Sequence, residues 1–324
     1  MQNKTQHGIK KADLGNTGLV VTQLCFGALP MGPMQLNLPE EQGAGVISAA
    51  LDAGVNFIDT AQSYRTYGPI RRAIRGRRSE LVIATKSAAT TYEEMEKAIH
   101  ESLERLETDY IDIFHLHAAR ASVSVFEDRK GAHQCLLDYK RKGLIRAVGI
   151  STHSVKVARI AAERSDIDVL FPLINMAGIG LLEGTVEEMA EAIALNARAG
   201  KGVYAMKIFA GGNLLDQREK ALHFAFDLKG IHSIAIGMVN RQEVEMNVAL
   251  FRGLPVAREL QERTGKNSKR LVIQSFCKGC GTCVEQCPNG ALAVIDGKAR
   301  VDRDKCLLCG YCSPHCPEFA IRMV

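Results

Sequence analysis

The sequence predicts an α/β protein: a (β/α)8 TIM barrel followed by a small cysteine-rich domain. Three observations carry this. Eight short apolar runs alternate with helical patterns over roughly the first 250 residues, no G-x-G-x-x-G follows the first run, and eight of the ten cysteines fall between Cys277 and Cys316. Strict β–α alternation implies a parallel sheet, and eight strands without a glycine fingerprint favour closure into a barrel over a doubly wound sheet. At ~150 residues per domain, 324 residues suit a barrel with an appendage.

The strand candidates, in order, are 20–28 (VVTQLCFGA), 56–61 (NFIDTA), 81–86 (LVIATK), 111–117 (IDIFHLH), 145–151 (IRAVGIS), 169–175 (VLFPLIN), 202–209 (GVYAMKIF) and 233–238 (SIAIGM). The clearest helix between them starts at Thr91, with Glu94 completing a capping box and Met95, Ala98, Ile99, Leu103 and Leu106 on one face. Gly143, Gly200 and Gly230 sit where helices should end. The stretch 251–270 carries Gly, Pro and a charged helical piece and reads as a boundary. The expected division is 1–255 for the barrel, 256–270 for a linker or helix, and 271–324 for the second domain.

Composition excludes several classes. Hydrophobic residues at 46% and charged residues at 24% are ordinary for a globular chain. No apolar run approaches the about 18 residues that a membrane span needs, and the polar, basic opening is not a secretory signal. A net charge of +5, no Trp and 6% aromatics give no platform for nucleic acid. The expectation is a cytoplasmic protein acting on a small molecule, with no membrane or nucleic-acid partner.

The tail repeats itself. At an offset of 29 residues Cys277, Cys280, Cys283, Cys287 and Pro288 map onto Cys306, Cys309, Cys312, Cys316 and Pro317. Each half reads C-x2-C-x2-C-x3-C-P, the bacterial ferredoxin run in which the fourth cysteine ligates the other cluster. Two 4Fe–4S clusters are therefore expected. Cys277, Cys280, Cys283 and Cys316 would hold one, and Cys306, Cys309, Cys312 and Cys287 the other. Two structural zinc sites are the weaker alternative, since the Cys-Pro repeat and the exchanged fourth ligand are not zinc-ribbon features. The tail is too short to bury much core, so an α+β ferredoxin-like two-cluster domain would draw much of its stability from its clusters. With about −2 per cluster it is net acidic and suits a basic redox partner or a basic patch on the barrel. Cys25 and Cys135 read as small buried hydrophobes.

Barrel enzymes place functional residues at C-terminal strand ends. That rule selects Asp59, with Tyr64 five residues on, Lys86 and His117. A phenol titrates near 10, so Lys86 beside Tyr64, held by Asp59, is expected to help it ionise, with His117 fixing the substrate oxygen. His115 shares the inward parity of His117 and reads as core or support. Arg71, Arg72, Arg75, Arg77 and Arg78 read as a solvated helix end, a docking patch being the alternative.

The segments DTAQSY, ATK and DIFHLH, with FGALPMG, GISTHS, MKIFAGGNLL and GMVNRQEVEMN, resemble the aldo-keto reductase family over about Asp13 to Leu250. With the cysteine tail, the chain resembles the branch that carries a C-terminal two-cluster ferredoxin domain. The resemblance implies catalytic roles for Asp59, Tyr64, Lys86 and His117. It also implies a nicotinamide dinucleotide, NAD(H) or NADP(H), near Gly27, Ser151, Thr152, Asn175, Lys207, Gly211, Gly212, Gly237, Met238, Glu243 and Asn247. There are departures. Ser151-Thr152 replaces the family's Ser-Asn, Phe171-Pro172 stands where a Gln is usual, Met206 takes the stacking aromatic's place, and Glu243 stands where many members grip a 2′-phosphate with Arg. A carboxylate there favours NADH.

The expected function is reduction of a carbonyl or conjugated C=C by Tyr-mediated proton donation, with nicotinamide, iron–sulfur clusters or both supplying electrons. One alternative is a self-sufficient NAD(P)H carbonyl reductase with structural or sensing clusters. The other is an electron-transfer protein with a non-catalytic barrel.

Overall fold

A computed structural model describes residues 8–264, 269–306, 308 and 310–324. The expected ligand Cys309 lies outside the described residues. The chain opens with an antiparallel hairpin of β1 (Lys11–Asp13) and β2 (Val20–Thr22). Eight parallel strands follow: β3 (Leu24–Gly27), β4 (Phe57–Asp59), β5 (Val82–Ser87), β6 (Ile111–Ala118), β7 (Ile145–Thr152), β8 (Val169–Pro172), β9 (Gly202–Met206) and β10 (Ser233–Gly237). They pair in sequence order, and β10 closes on β3, so the barrel is complete.

All eight expected strands are present, with ends that shift by a few residues, most in three runs. The run 20–28 is two strands, because Thr22 donates its hydroxyl to the Leu24 carbonyl at 2.7 Å and its N–H to Asn56 at 2.7 Å, breaking the extended chain. The run 202–209 stops at Met206, since Lys207 turns the backbone left-handed at φ 63°. The run 169–175 stops at Pro172, after which the Asn175 side chain organises a loop.

Between strands lie α1 (Glu40–Asp52), α2 (Tyr67–Ile74), α3 (Tyr92–Leu106), α4 (Val125–Asp128), α5 (Lys130–Arg141), α6 (Val155–Glu163), α7 (Val186–Arg198), α8 (Arg218–Asp227) and α9 (Arg241–Phe251). Thr91 and Glu94 form the predicted reciprocal cap on α3, and Thr185 with Glu188 repeats it on α7. Each satisfies N–H groups that a helix start leaves without partners. A short α10 (Arg258–Arg263) packs on α9. No helix among the described residues is long and apolar enough to cross a membrane.

The second domain pairs β11 (Leu271–Ile273) with β14 (Ile321–Met323) and β12 (Leu292–Ile295) with β13 (Lys298–Val301), with α11 (Thr282–Glu285) between β11 and β12. Its apolar core is small: Leu271, Leu292, Ala299, Ile321 and Met323, packed with Cys283 and Cys312.

The barrel interior is closed at both ends by other parts of the chain. Leu14, Leu19 and Val21 of the N-terminal hairpin plug one end, and Phe319 of the second domain joins the same cluster with Phe171, Tyr204 and Met206. Phe319 is 2% exposed. A Cβ on Gly180 would lie 2.7 Å from its ring, so the mouth admits that ring only because position 180 has no side chain. Arg120 anchors the contact by donating to the Pro317 carbonyl at 2.9 Å and pairing with Glu318 at 3.5 Å. The basic run at 71–78 is elsewhere engaged, with Arg71 and Arg72 on Glu40, Arg77 on Asp52 and Arg78 on Asp112. The domain docks through Arg120 instead.

Candidate active site and cluster cavities

Register brings the four strand-end residues together. Asp59 on β4 pairs with Ala84 on β5, two residues before Lys86, and Lys86 pairs with His115 on β6, two residues before His117. Residues two apart on a strand share a face, so Asp59, Lys86, His115 and His117 all project inward. Lys86 is fully buried and donates to both Asp59 oxygens, at 2.6 and 2.8 Å, and to the Thr60 carbonyl at 2.7 Å. Its ammonium stands 4.8 Å from the centre of the Tyr64 ring. The His117 ring meets Tyr64 edge to face with centroids 5.9 Å apart.

Behind this group runs a buried chain that sequence reading only half anticipated. Tyr204 donates to Asp59 at 3.0 Å and accepts from His115 Nε2 at 2.7 Å. That assigns the proton of His115 to Nε2. Its Nδ1 faces Gly149, where any Cβ would come within 2.2 Å, and finds no partner. His115 is thus the support residue its parity suggested. Tyr204 was hidden as an ordinary strand aromatic; the available signal was its shared parity with Met206. Tyr67 lies outside the site, with its hydroxyl on Thr85 at 2.8 Å.

Electrostatics alter one expectation. Burial, then the Asp59 carboxylate, push the Tyr64 phenol above its ordinary value, and the cation that opposes them is Arg322. Burial draws Lys86 itself below the usual lysine range, against the pull of the Asp59 carboxylate that it holds. Burial and then Lys86 hold His117 down at about 3, so it is a neutral imidazole at physiological pH.

A cavity of about 170 Å³ opens at this end of the barrel, with Tyr64, Asp59, Phe171 and Met206 at its base. Of the residues implied for a dinucleotide, Gly27, Lys207, Gly211, Gly212, Gly237 and Glu243 line it. Met238 and Asn247 are buried outside its wall, and Thr152 caps the Ser154 N–H at 3.0 Å. Asn175 spends its amide on Ile179 and Ala177. The Ser151 hydroxyl is buried without a partner, as a carboxamide site would leave it. The far end of the groove does not fit a dinucleotide in this arrangement. A Cβ at Gly212 would lie 2.6 Å from Met323, one at Gly211 2.9 Å from Arg322, and Glu243 is ion-paired with Lys269. The chain's own last strand fills the space beside that loop. Phe319 and Arg322 were not picked out as site residues. The signal was asymmetry in the repeat, which sets Gly290 and Ala293 opposite them.

The cysteines divide as the exchanged-ligand rule requires. Cys277, Cys280, Cys283 and Cys316 line one cavity, and Cys287, Cys306 and Cys312 line another. Backbone N–H groups point at the sulfurs: Ala299 to Cys277 at 3.4 Å, Ala320 to Cys316 at 3.2 Å and Ala291 to Cys287 at 3.2 Å. In each set the thiols line a small cavity rather than converging on a point. This donor set fits cubane clusters, whose thiolates stand apart and take amide hydrogen bonds.

The closed barrel and this strand-end constellation define a class, and the sequence comparisons agree with it. The chain belongs to the aldo/keto reductase family, whose pattern matches residues 23–273, and residues 276–320 match the 4Fe–4S dicluster domain. It is an oxidoreductase of that type with a C-terminal ferredoxin-type domain. L-galactose dehydrogenase of Arabidopsis thaliana is 26% identical over 278 residues, covering 73% of this chain and 86% of that one. A structure from Pseudomonas aeruginosa, provisionally described as an aldo-keto reductase, superposes with a TM-score of 0.67 at 26% identity over 76% of this chain and 98% of its own. The aldo-keto reductase AKR11C1 from Bacillus halodurans, at 22% identity, shares the fold with a TM-score of 0.64 over 78% and 94% of the two chains.

Proposed function

We propose that the protein reduces a carbonyl or conjugated C=C at the barrel mouth, with Tyr64 as proton donor and with electrons arriving through the second domain. The observation that carries this is the seating of Phe319. Its ring is buried among barrel-interior residues, and its N–H bonds the carbonyl of Cys316, three residues away, at 2.9 Å. A sensing or structural appendage has no physical need to pack an aromatic ring among barrel-interior residues three positions from a cluster ligand.

When bound by Cys277, Cys280, Cys283 and Cys316, and by Cys287, Cys306, Cys309 and Cys312, two 4Fe–4S clusters supply electrons singly, and together they match a two-electron reduction. The remaining chemistry belongs to side chains. Reduction to an alcohol consumes two electrons from the clusters and two protons, one to oxygen from Tyr64 and one to carbon from solvent. Tyr64 stays protonated across the neutral range and donates to the substrate oxygen as alkoxide character develops, since a phenol is a stronger acid than an alcohol. His117, neutral, hydrogen-bonds that oxygen and sets its angle. Lys86 and Asp59, braced by Tyr204, fix the floor beneath Tyr64. The last strand covers one side of the cavity through Arg322 and Met323, which reduces the water around these groups.

The reading in which nicotinamide alone serves the barrel draws on Ser151 but requires β14 to leave the Gly211–Gly212 loop. Adding NADH or NADPH to oxidised, anaerobically purified protein separates the two. The expected result is slow or no bleaching of the visible absorbance, but substrate-dependent reoxidation of protein reduced with dithionite. Fast NAD(P)H-driven turnover with the absorbance unchanged would refute the proposal.

A further inference from the structure

Among the described side chains lining it, the reaction chamber holds more positive charge than its carboxylates offset. Asp59 is engaged by Lys86, Glu243 by Lys269, and Glu318 by Arg120 and Lys278. Two cations on the cavity wall remain, Lys207 and Arg322. Neither has a carboxylate within ion-pair distance among the described residues. Arg322 is 6% exposed. Its guanidinium stacks on the Phe319 ring at 3.7 Å and, among the described residues, donates to the Ile321 carbonyl at 2.9 Å. Lys207 approaches the opposite side of the chamber, 4.9 Å from the Phe319 ring centre, with its ammonium 3.1 Å from His153 Nε2. Burial holds both below their ordinary values, Arg322 at about 10 against the opposing pull of Cys316 and Tyr64, and Lys207 further lowered by Arg322.

Buried cations without counter-charge are costly unless a ligand supplies the anion. Both line the same cavity as Tyr64, so the anion they receive shares that cavity with the group being reduced. Arg322 offers a planar fork suited to a carboxylate, and Lys207 a point charge.

We propose that Arg322 and Lys207 bind the carboxylate of the substrate, which is therefore an oxo acid or unsaturated acid and not a neutral aldehyde or ketone. This rests on the carbonyl reduction at Tyr64 proposed above. It also gives the second domain a role in choosing the substrate, because Arg322 belongs to its last strand. A second source of oxyanion is the pyrophosphate of a dinucleotide, and a third use of Arg322 is to offset the charge held near Cys316.

Binding of pyruvate and its neutral isostere pyruvamide to the cluster-loaded full chain distinguishes these. Pyruvate is expected to bind about tenfold or more tightly than pyruvamide. Arg322→Gln and Lys207→Gln should each erase most of that preference while leaving pyruvamide binding and the visible spectrum unchanged, and Arg322→Lys should restore part of it. Equal affinity for the two probes overturns the inference. So does a preference that survives both Gln variants, or inorganic pyrophosphate displacing pyruvate at lower concentration than pyruvate itself requires. A shift in cluster potential in Arg322→Gln without change in pyruvate binding assigns Arg322 to the cluster and equally overturns it. Binding is read without turnover, so Tyr64-dependent reduction of pyruvamide would keep the proposed reaction standing even if the carboxylate site failed.

Discussion

Tyr204 donates its hydroxyl to Asp59 at 3.0 Å from the side of the barrel opposite in sequence, while the same carboxylate holds Lys86. The carboxylate therefore has two donors fixed by two different strands, β9 and β5. Removing one lets Asp59 and Lys86 rotate together away from Tyr64. Tyr204→Phe also strips His115 of its sole side-chain partner. The expected cost is about 1–3 kcal/mol in urea unfolding. Turnover should fall on the order of tenfold, with KM nearly unchanged, because positioning and not binding is lost. A variant with wild-type turnover would show that Asp59 needs no bracing.

Tyr64→Phe tests proton donation directly. The ring remains to pack against His117 and beneath the cavity, but no proton is available to the developing alkoxide. Carbonyl reduction should drop by about 10²–10⁴-fold. Iron content and visible spectrum should not change, since Tyr64 belongs to the barrel wall and the thiols to separate cavities. Reduction surviving in this variant would remove Tyr64 from the mechanism.

The strand-end residues were legible because two periodicities coincide: β–α alternation marks strand ends, and inward parity selects Asp59, Lys86 and His117. The cysteine partition was legible for a similar reason, since the spacing itself dictates that Cys287 and Cys316 exchange. What periodicity cannot encode is how one domain docks on another. Phe319 and Arg322 act in the barrel mouth because of a rigid-body placement set by Arg120, Gly180 and Gly212, three residues scattered across the chain. Their only trace was that Gly290 and Ala293, at equivalent places in the repeat, lack both the ring and the charge. Arg322, the cation that opposes the rise in the Tyr64 phenol, comes from the same docked strand.

Histidine burial predicts how stability responds to acid. His117 is held at about 3, and His115 and His153 also lie well below the ordinary 6.5, each chiefly through burial. Between about pH 6.5 and 3 the unfolded chain binds protons that the folded chain refuses, so stability is full above that window and falls as pH drops through it. The urea midpoint of the cluster-loaded protein should decline from pH 7 to pH 5. His153→Gln should flatten that decline by removing one of the three groups. A midpoint that rises on acidification would mean that these imidazoles are charged in the folded state.

The two exchanged cysteines give the sharpest separation between the cavities. Cys316 lies in the second half of the repeat but lines the cavity of Cys277, Cys280 and Cys283, while Cys287 lies in the first half and lines the other. Wild-type protein should carry about eight irons per chain, and Cys316→Ser and Cys287→Ser about four each. The variants should nonetheless differ in function. Phe319, three residues after Cys316, enters the barrel, so Cys316→Ser should abolish dithionite-driven substrate reduction. Cys287→Ser, on the cavity away from Phe319, should retain part of it. Both should keep the barrel's far-ultraviolet dichroism and unfolding transition, because the barrel has its own closed core. If the two variants lost reduction equally while each held four irons, electrons would not enter by way of Phe319. If each lost all eight, the cavities would form only as a pair.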